Sequence, residues 1–513
     1  MKKALILTAG LLLGISLSLA VGAKTLRLAY DADPVSLDPQ EQLSGGMVQL
    51  SHMVFDPLIR WNQEMGFEPR LAESWERLDP YTVRFNLRQG VKFHSGNPFT
   101  AKDVEWTFNR LKSSPDFKGL FEPFKALNVI DDHTIDLVTT DPYPLVLHMA
   151  TYIFAMDSAF YMASPDQGEL KKHGDTFAST NASGTGPYIV ASRQQGVRVD
   201  FKRFGDYWDK QSPGNVDEIV FTPIKEAPTR VAALLSGDVD FIAPVPPTDM
   251  ARIAEHPGVE LVTMGGTRII TFQLNQERRS EFKDPRVRQA MVHAVNNEGI
   301  AKKIMKDFAT PAAQQSPKGY AGHVESLKPR YDLAKAKQLM KEAGYEQGFS
   351  VTMMAPNNRY VNDAKIAEAV ASMLAKINIK VDLKTMPKAQ YWPKFDERAA
   401  DIMMIGWHAD TEDSANFTEF LAMCPDKETG YGQYNSGNYC NKEIDGLIKA
   451  TQGETDPAKR AAMLQKVEQM LYDDAAFIPL HWQDLAWAAA KGVHIERVIN
   501  VMNFPYLGDL VID

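Results

Sequence analysis

Apolar positions along this chain recur with two periods, and the switches between them mark out its elements. Thr25-Leu26-Arg27-Leu28-Ala29-Tyr30 and Thr82-Val83-Arg84-Phe85-Asn86-Leu87 alternate every second residue, which predicts half-buried strands, with a Pro- and Asp-rich loop from Asp31 to Pro39 after the first. Pro98 to Val104 reads as a helix start, with Thr100 as N-cap and Asp103 at the third helical position, and Val104, Phe108 and Leu111 then fall on one helical face. A strand over Val216–Pro223, a helix over Ala227–Leu235, a strand over Gly237–Ile242 and another over Ile269–Asn275 follow. Such alternation predicts an α/β fold, a parallel or mixed sheet with covering helices.

A second series begins at Asp284. Val287, Ala290, Met291, Ala294 and Val295 keep helical spacing, as do Ala334, Ala336, Leu339 and Met340. A strand over Ser350–Met354 leads to Arg359 and Tyr360, and then to a helix capped by Asn362 or Asp363 with the stripe Ile366, Val370, Met373, Leu374 and Ile377. Strand Lys380–Thr385, a short helix through Tyr391–Phe395, helix Pro457–Tyr472 and strand Ala476–Trp482 complete the series.

Asp401 to Phe417 is the stretch around which the rest is arranged. Ile402-Met403-Met404-Ile405 reads as a buried strand that breaks at Gly406, presents Trp407 and His408, and releases Asp410, Glu412 and Asp413 into a loop. An α/β domain places ligand-facing side chains in the crevice at its strands' carboxyl ends in this way. The loop is expected to hold a small cationic group; a solvated acidic loop is the plain alternative.

Composition narrows the setting. At 513 residues the chain suggests two or three domains. Lys2-Lys3, the apolar run Ala4–Val21 and the small-residue end Val21-Gly22-Ala23 read as a secretory signal, so residues 1–23 are expected to be removed and the product exported; a retained anchor is the competing reading. The remainder carries 54 Lys+Arg against 65 Asp+Glu, a balance of −11 that argues against a nucleic-acid partner. Cys424 and Cys440 are expected to form a disulfide in an oxidising compartment, worth about 3 kcal/mol in the chain-entropy model and pinning the loop Gly430–Gly437. The scattered histidines lack HExxH or HxH spacing, so neither a metal cage nor a cofactor is expected. His94 reads as structural, and Gly184-Thr185-Gly186-Pro187 as a turn into a strand. An exported hydrolase is disfavoured by the lack of GxSxG and HExxH and by the pairing of both cysteines.

Two charges suggest a ligand. Arg359 precedes a helix N-terminus, where free N–H groups already favour an anion, and would receive a carboxylate; Asp410 would receive an ammonium. Together they fit a zwitterion. Each has a bland rival: Asp410 as a turn cap, Arg359 paired to Asp363 on its own helix, Trp407 as core facing a hinge, His408 at a lobe boundary.

The wording of several segments resembles the peptide/nickel family of periplasmic solute-binding proteins that feed ABC importers. These segments are Leu71-Ala72-Glu73-Ser74-Trp75, Phe85 through Gly96, Pro98 through Val104, Ser183 through Tyr188, Asp284 through Ala290 and Tyr434 through Tyr439. The resemblance implies a two-lobed periplasmic-binding-protein fold with an extra inserted α+β domain and two hinge strands, near Ile269–Asn275 and Ala476–Trp482. Lobe I would comprise 24–52, 185–272 and 483–513, the inserted domain 53–184, and lobe II 273–482. It also implies a monomer, not an enzyme, that carries a small peptide in the periplasm to permease subunits in the inner membrane. A non-peptide solute such as a metal chelate, haem, an opine or an oligosaccharide is the alternative. Gly406-Trp407-His408-Ala409-Asp410 matches the family pattern whose acid holds a dipeptide's amine, and Arg359, with Tyr360 beside it, aligns after a short gap with the arginine that takes its carboxylate.

Overall fold

The computed structural model describes residues 23–34, 36–171, 175–409 and 411–513. Residues 1–22 of the signal segment and the candidate Asp410 lie outside them.

Among the described residues an eleven-stranded mixed sheet runs through the whole molecule. Its middle is made by two long antiparallel strands, Val259–Leu274 and Phe477–Ala490, paired from Val259 opposite Ala490 to Gln273 opposite Phe477. On one flank Ile402–Trp407 pairs with the first long strand, followed by Ser350–Pro356 and Lys380–Met386. On the other, Phe241–Ala243 pairs with the second long strand, followed by Thr25–Tyr30, Glu218–Pro223, Arg198–Arg203 and Tyr188–Gln194. The molecule thus has two α/β halves joined by two strands.

Local sequence explains where these elements begin and end. Ile402 to Ile405 are at most 1% exposed, because strands covered by helices on both faces bury every side chain. The covering helix Asp363–Ala375 turns Ile366, Ala367, Val370 and Leu374 into the core shared with Met353 and Met404. Helix Ala101–Ser113 starts as expected: the Asp103 carboxylate accepts the Thr100 backbone N–H at 2.9 Å and its hydroxyl at 3.1 Å. Among the boundaries that differ from expectation, two have a visible cause. The strand expected at Gly237 begins only at Phe241, since Gly237 takes a left-handed φ of 79° to end the preceding helix. The strand expected from Ile269 extends back to Val259, because the second long strand supplies it with partners over that length.

A separate four-stranded antiparallel sheet, Ala72–Asp79, Thr82–Leu87, Thr134–Thr139 and Phe124–Asp131, packs its apolar face on helix Ala101–Ser113. Its core residues Phe85, Phe108 and Phe124 belong to the same apolar cluster as Ile219 and Trp487 of the main sheet. Gly184 and Gly186 let this region cross close over Val54–Phe55: a Cβ on Gly186 would lie 2.5 Å from the Val54 carbonyl carbon. His94 donates from Nε2 to the Gly186 carbonyl, 2.9 Å away, in keeping with the structural role read from the sequence.

The register of the two long strands slips between Met264 and Arg268. Gly266 lies within this irregularity, and a Cβ there would come within 2.2 Å of the Gln483 carbonyl oxygen.

Candidate functional site

The central strand runs two residues further than its composition suggests. Pairing with Ile269 and Ile270 continues through Gly406 and Trp407, so the chain breaks after Trp407 and not at Gly406. Gly406 is required for another reason: a Cβ there would meet Tyr360 and Ile270 at 2.6 Å each. Tyr360 packs beside that strand and donates its hydroxyl to the Gly406 carbonyl at 3.2 Å.

Beside this strand opens a cavity of about 1050 Å³, and its lining residues fall between Arg268 and Tyr434. Of the residues singled out in the sequence, Arg359, Tyr360, Trp407 and His408 all line it. Trp407 has one side in the core and one in the cavity. Its indole N–H donates to Asn416 at 2.8 Å, and its ring lies 4.9 Å from Tyr434 and 5.4 Å from Phe420. His408 bonds through Nδ1 to the Thr267 hydroxyl at 2.7 Å and faces the Glu412 carboxylate with Nε2 at 3.1 Å.

The helix N-terminus does not act as sequence alone suggests. Asp363 Oδ2 accepts the backbone N–H groups of Arg359 at 2.9 Å and Tyr360 at 3.0 Å, and Oδ1 that of Ala364 at 2.9 Å. The anion at that helix start is therefore the protein's own. Asp363 takes the backbone of Arg359 and leaves its exposed guanidinium clear, 5.0 Å from the Tyr360 ring centroid. Burial pushes the Tyr360 phenol up, opposed in smaller part by the nearby charges of Arg359 and Arg268.

The acidic loop also departs from expectation. Glu412 and Asp413 are buried and already engaged: Glu412 accepts the Tyr320 hydroxyl, and Asp413 forms a two-pronged ion pair with Arg460 at 2.6 and 2.7 Å. Burial alone would raise the Asp413 carboxyl, but Arg460 holds it below the usual carboxylate range. A buried acid needs such a partner, so neither is left for a ligand cation.

The opposite wall comes from the loop closed by the disulfide Cys424–Cys440. Pro425 to Lys427 and Gly430 to Tyr434 face the cavity from within it. That loop was legible through its cysteines. Arg268, Trp392 and Arg398 were missed: Arg268 sits at the slip between the long strands, and the other two belong to the helix Lys388–Asp396 and the turn after it, which show only as a short helix. The paired glycines Gly265-Gly266 were the available signal for the first.

The chain matches the family described as bacterial extracellular solute-binding proteins, family 5, over residues 66–428. It is 28% identical over 507 residues to the dipeptide-binding protein of Escherichia coli, covering 93% of this chain and 92% of that one. It is 27% identical over 490 residues to the glutathione-binding protein of Salmonella typhi, covering 92% of each. Among solved structures, HbpA2 from Haemophilus parasuis aligns with a TM-score of 0.83 at 23% identity, over 95% of this chain and 100% of that chain. The murein tripeptide-binding protein MppA in its unliganded open form aligns at 0.82 and 20% identity, over 96% of this chain and 98% of that chain. The two α/β halves joined by paired long strands are thus the two-lobed periplasmic-binding-protein fold, and the chain belongs to the family 5 bacterial extracellular solute-binding proteins, which serve ABC transporters as receptors and are not enzymes.

Proposed function

We propose that this chain is a periplasmic receptor that binds a di- or oligopeptide between its lobes and delivers it to the permease of an ABC importer in the inner membrane. The observation that carries this reading is the convergence of Arg359, Tyr360, Trp407 and His408 on one cavity, with a guanidinium that forms no ion pair among the described residues. Arg359 takes the peptide carboxylate, Asp410 the ammonium, and the faces of Trp407 and Tyr434 carry side chains. Relatives named for a dipeptide and for glutathione support the ligand class.

The cavity's walls come from one lobe and the first long strand, so the opposite lobe has to swing over a bound ligand. We place the hinge at the slip near Gly266 and at the facing part of Phe477–Ala490, with lobe I as 24–52, 185–272 and 483–513, the inserted domain as 53–184 and lobe II as 273–482. Among the described residues no helix is long and apolar enough to cross a membrane. The reading includes removal of residues 1–23, action as a monomer and no cofactor. A non-peptide solute is the second reading, supported by a solved neighbour in complex with agropinic acid.

Thermal-shift screening of the mature protein tests the assignment. A peptide at 100 times its dissociation constant adds about 2.7 kcal/mol of stability and raises the melting temperature. A sugar or chelate that does so while no di- or tripeptide does would replace the peptide reading with the second one.

A further inference from the structure

The charges around the cavity do not balance for a neutral zwitterion. Among the described residues its lining carries Arg268, Arg359, Arg398 and Lys427 against Asp396 and Asp426. Adding Asp410 from the sequence still leaves the cations in excess. Asp426 accepts the Glu428 N–H of its own loop at 2.9 Å, and that bond above all holds its carboxyl below the usual range. Arg268 has an interaction of its own, and setting it aside together with Asp426 removes one cation and one anion and leaves the excess unchanged.

Three cations remain. Arg398 gives Nε to the Asn435 carbonyl at 3.2 Å, and among the described residues Arg359, Arg398 and Lys427 form no ion pair. Elsewhere three buried arginines are each matched by an acid: Arg110 with Asp38, Arg288 with Asp474, Arg460 with Asp413. A single peptide carboxylate on Arg359 leaves Arg398 and Lys427 facing Asp396 alone. Closing a lobe over surplus charge withdraws it from water, which is unfavourable unless a counter-charge enters with the ligand.

We infer that the solute carries a second carboxylate, an acidic side chain received by Arg398 and Lys427, so that the receptor selects acidic peptides over neutral ones. This rests on the peptide reading above and sharpens it. The two receiving groups stand on fixed supports, Arg398 on the turn that ends the helix Lys388–Asp396 and Lys427 in the disulfide-closed loop.

Calorimetric titration with Ala-Glu and Ala-Gln, which differ by one charge at nearly equal shape, tests it. Wild-type protein is expected to bind Ala-Glu at least about tenfold more tightly, as charge-assisted bonds to a guanidinium exceed neutral ones. The preference should shrink as ionic strength rises. Arg398→Gln should bring the two affinities together by weakening Ala-Glu several-fold more than Ala-Gln. Lys427→Gln, on an exposed residue, should narrow the ratio in the same direction and serves if the first variant does not fold. Equal affinities in the wild type overturn this inference and leave the peptide reading standing. No heat from these or any other peptide overturns both.

Discussion

His408 and Thr267 share a hydrogen bond of 2.7 Å, which ties the loop after the central strand to the first long strand just where its register slips. The side chain that looks into the cavity is thereby fastened to the segment where we place the hinge. Thr267→Val keeps the shape and removes the hydroxyl. It should cost about 1 kcal/mol of stability by denaturant melting and weaken ligand affinity as well. Unchanged affinity alongside the stability loss would confine the bond to a structural role.

Gly406→Ala tests how the cavity floor is built. The added Cβ would sit 2.6 Å from Tyr360 and from Ile270, so one of them has to move, at a cost of about 1–3 kcal/mol. Tyr360, at the cavity surface, has more room than Ile270 in the core. The expected result is a folded protein with slightly lower melting temperature and ligand binding reduced well beyond the stability loss, read by calorimetry. Normal binding would show that Tyr360 does not shape the site.

Glu468 makes the pH dependence specific. It is 1% exposed, accepts the backbone N–H groups of Gln315 at 3.1 Å and Ser316 at 2.9 Å, and burial pushes its carboxyl up to about 7 against those bonds. A carboxyl raised in the folded state favours folding in its protonated form. Its stabilisation is present below the unfolded value near 4.5 and is lost as pH rises towards about 7. Glu468→Gln cannot titrate, so its stability relative to wild type should climb between those limits by up to about 3 kcal/mol and level off above them. Melting curves at a series of pH values check this; a constant difference would mean the carboxyl does not titrate there.

Reducing Cys424–Cys440, or replacing both cysteines by serine, should lower stability by about 3 kcal/mol. The larger effect should be on affinity, because the bridged loop supplies one cavity wall. Equal affinity for the oxidised and reduced protein would show that the wall holds without the bridge.

The sequence was most informative where periodicity and burial agree. Ile402 and Met404 of the buried run pack with the stripe Ile366 to Leu374 as their spacing requires, and the cysteine spacing foretold a wall of the cavity. What it could not convey was which polar groups the fold itself consumes. Glu412 and Asp413 look like ligand groups in a linear reading, yet Tyr320 and Arg460 reach them from distant segments. Asp363 likewise takes the N–H groups that seemed open to an anion. Arg398 and Trp392 stayed hidden because a short helix gives no hint of which face meets a cavity formed by a loop some thirty residues later.

The central claim is that Arg359 captures a peptide's terminal carboxylate in this cavity. Titration calorimetry of Ala-Glu and its C-terminal amide against wild type and Arg359→Gln measures it directly. The account predicts that amidation weakens wild-type binding at least about tenfold and makes little difference to the variant, since charge-assisted bonds to a guanidinium are among the stronger polar contacts. Wild-type protein that binds acid and amide equally well would contradict it.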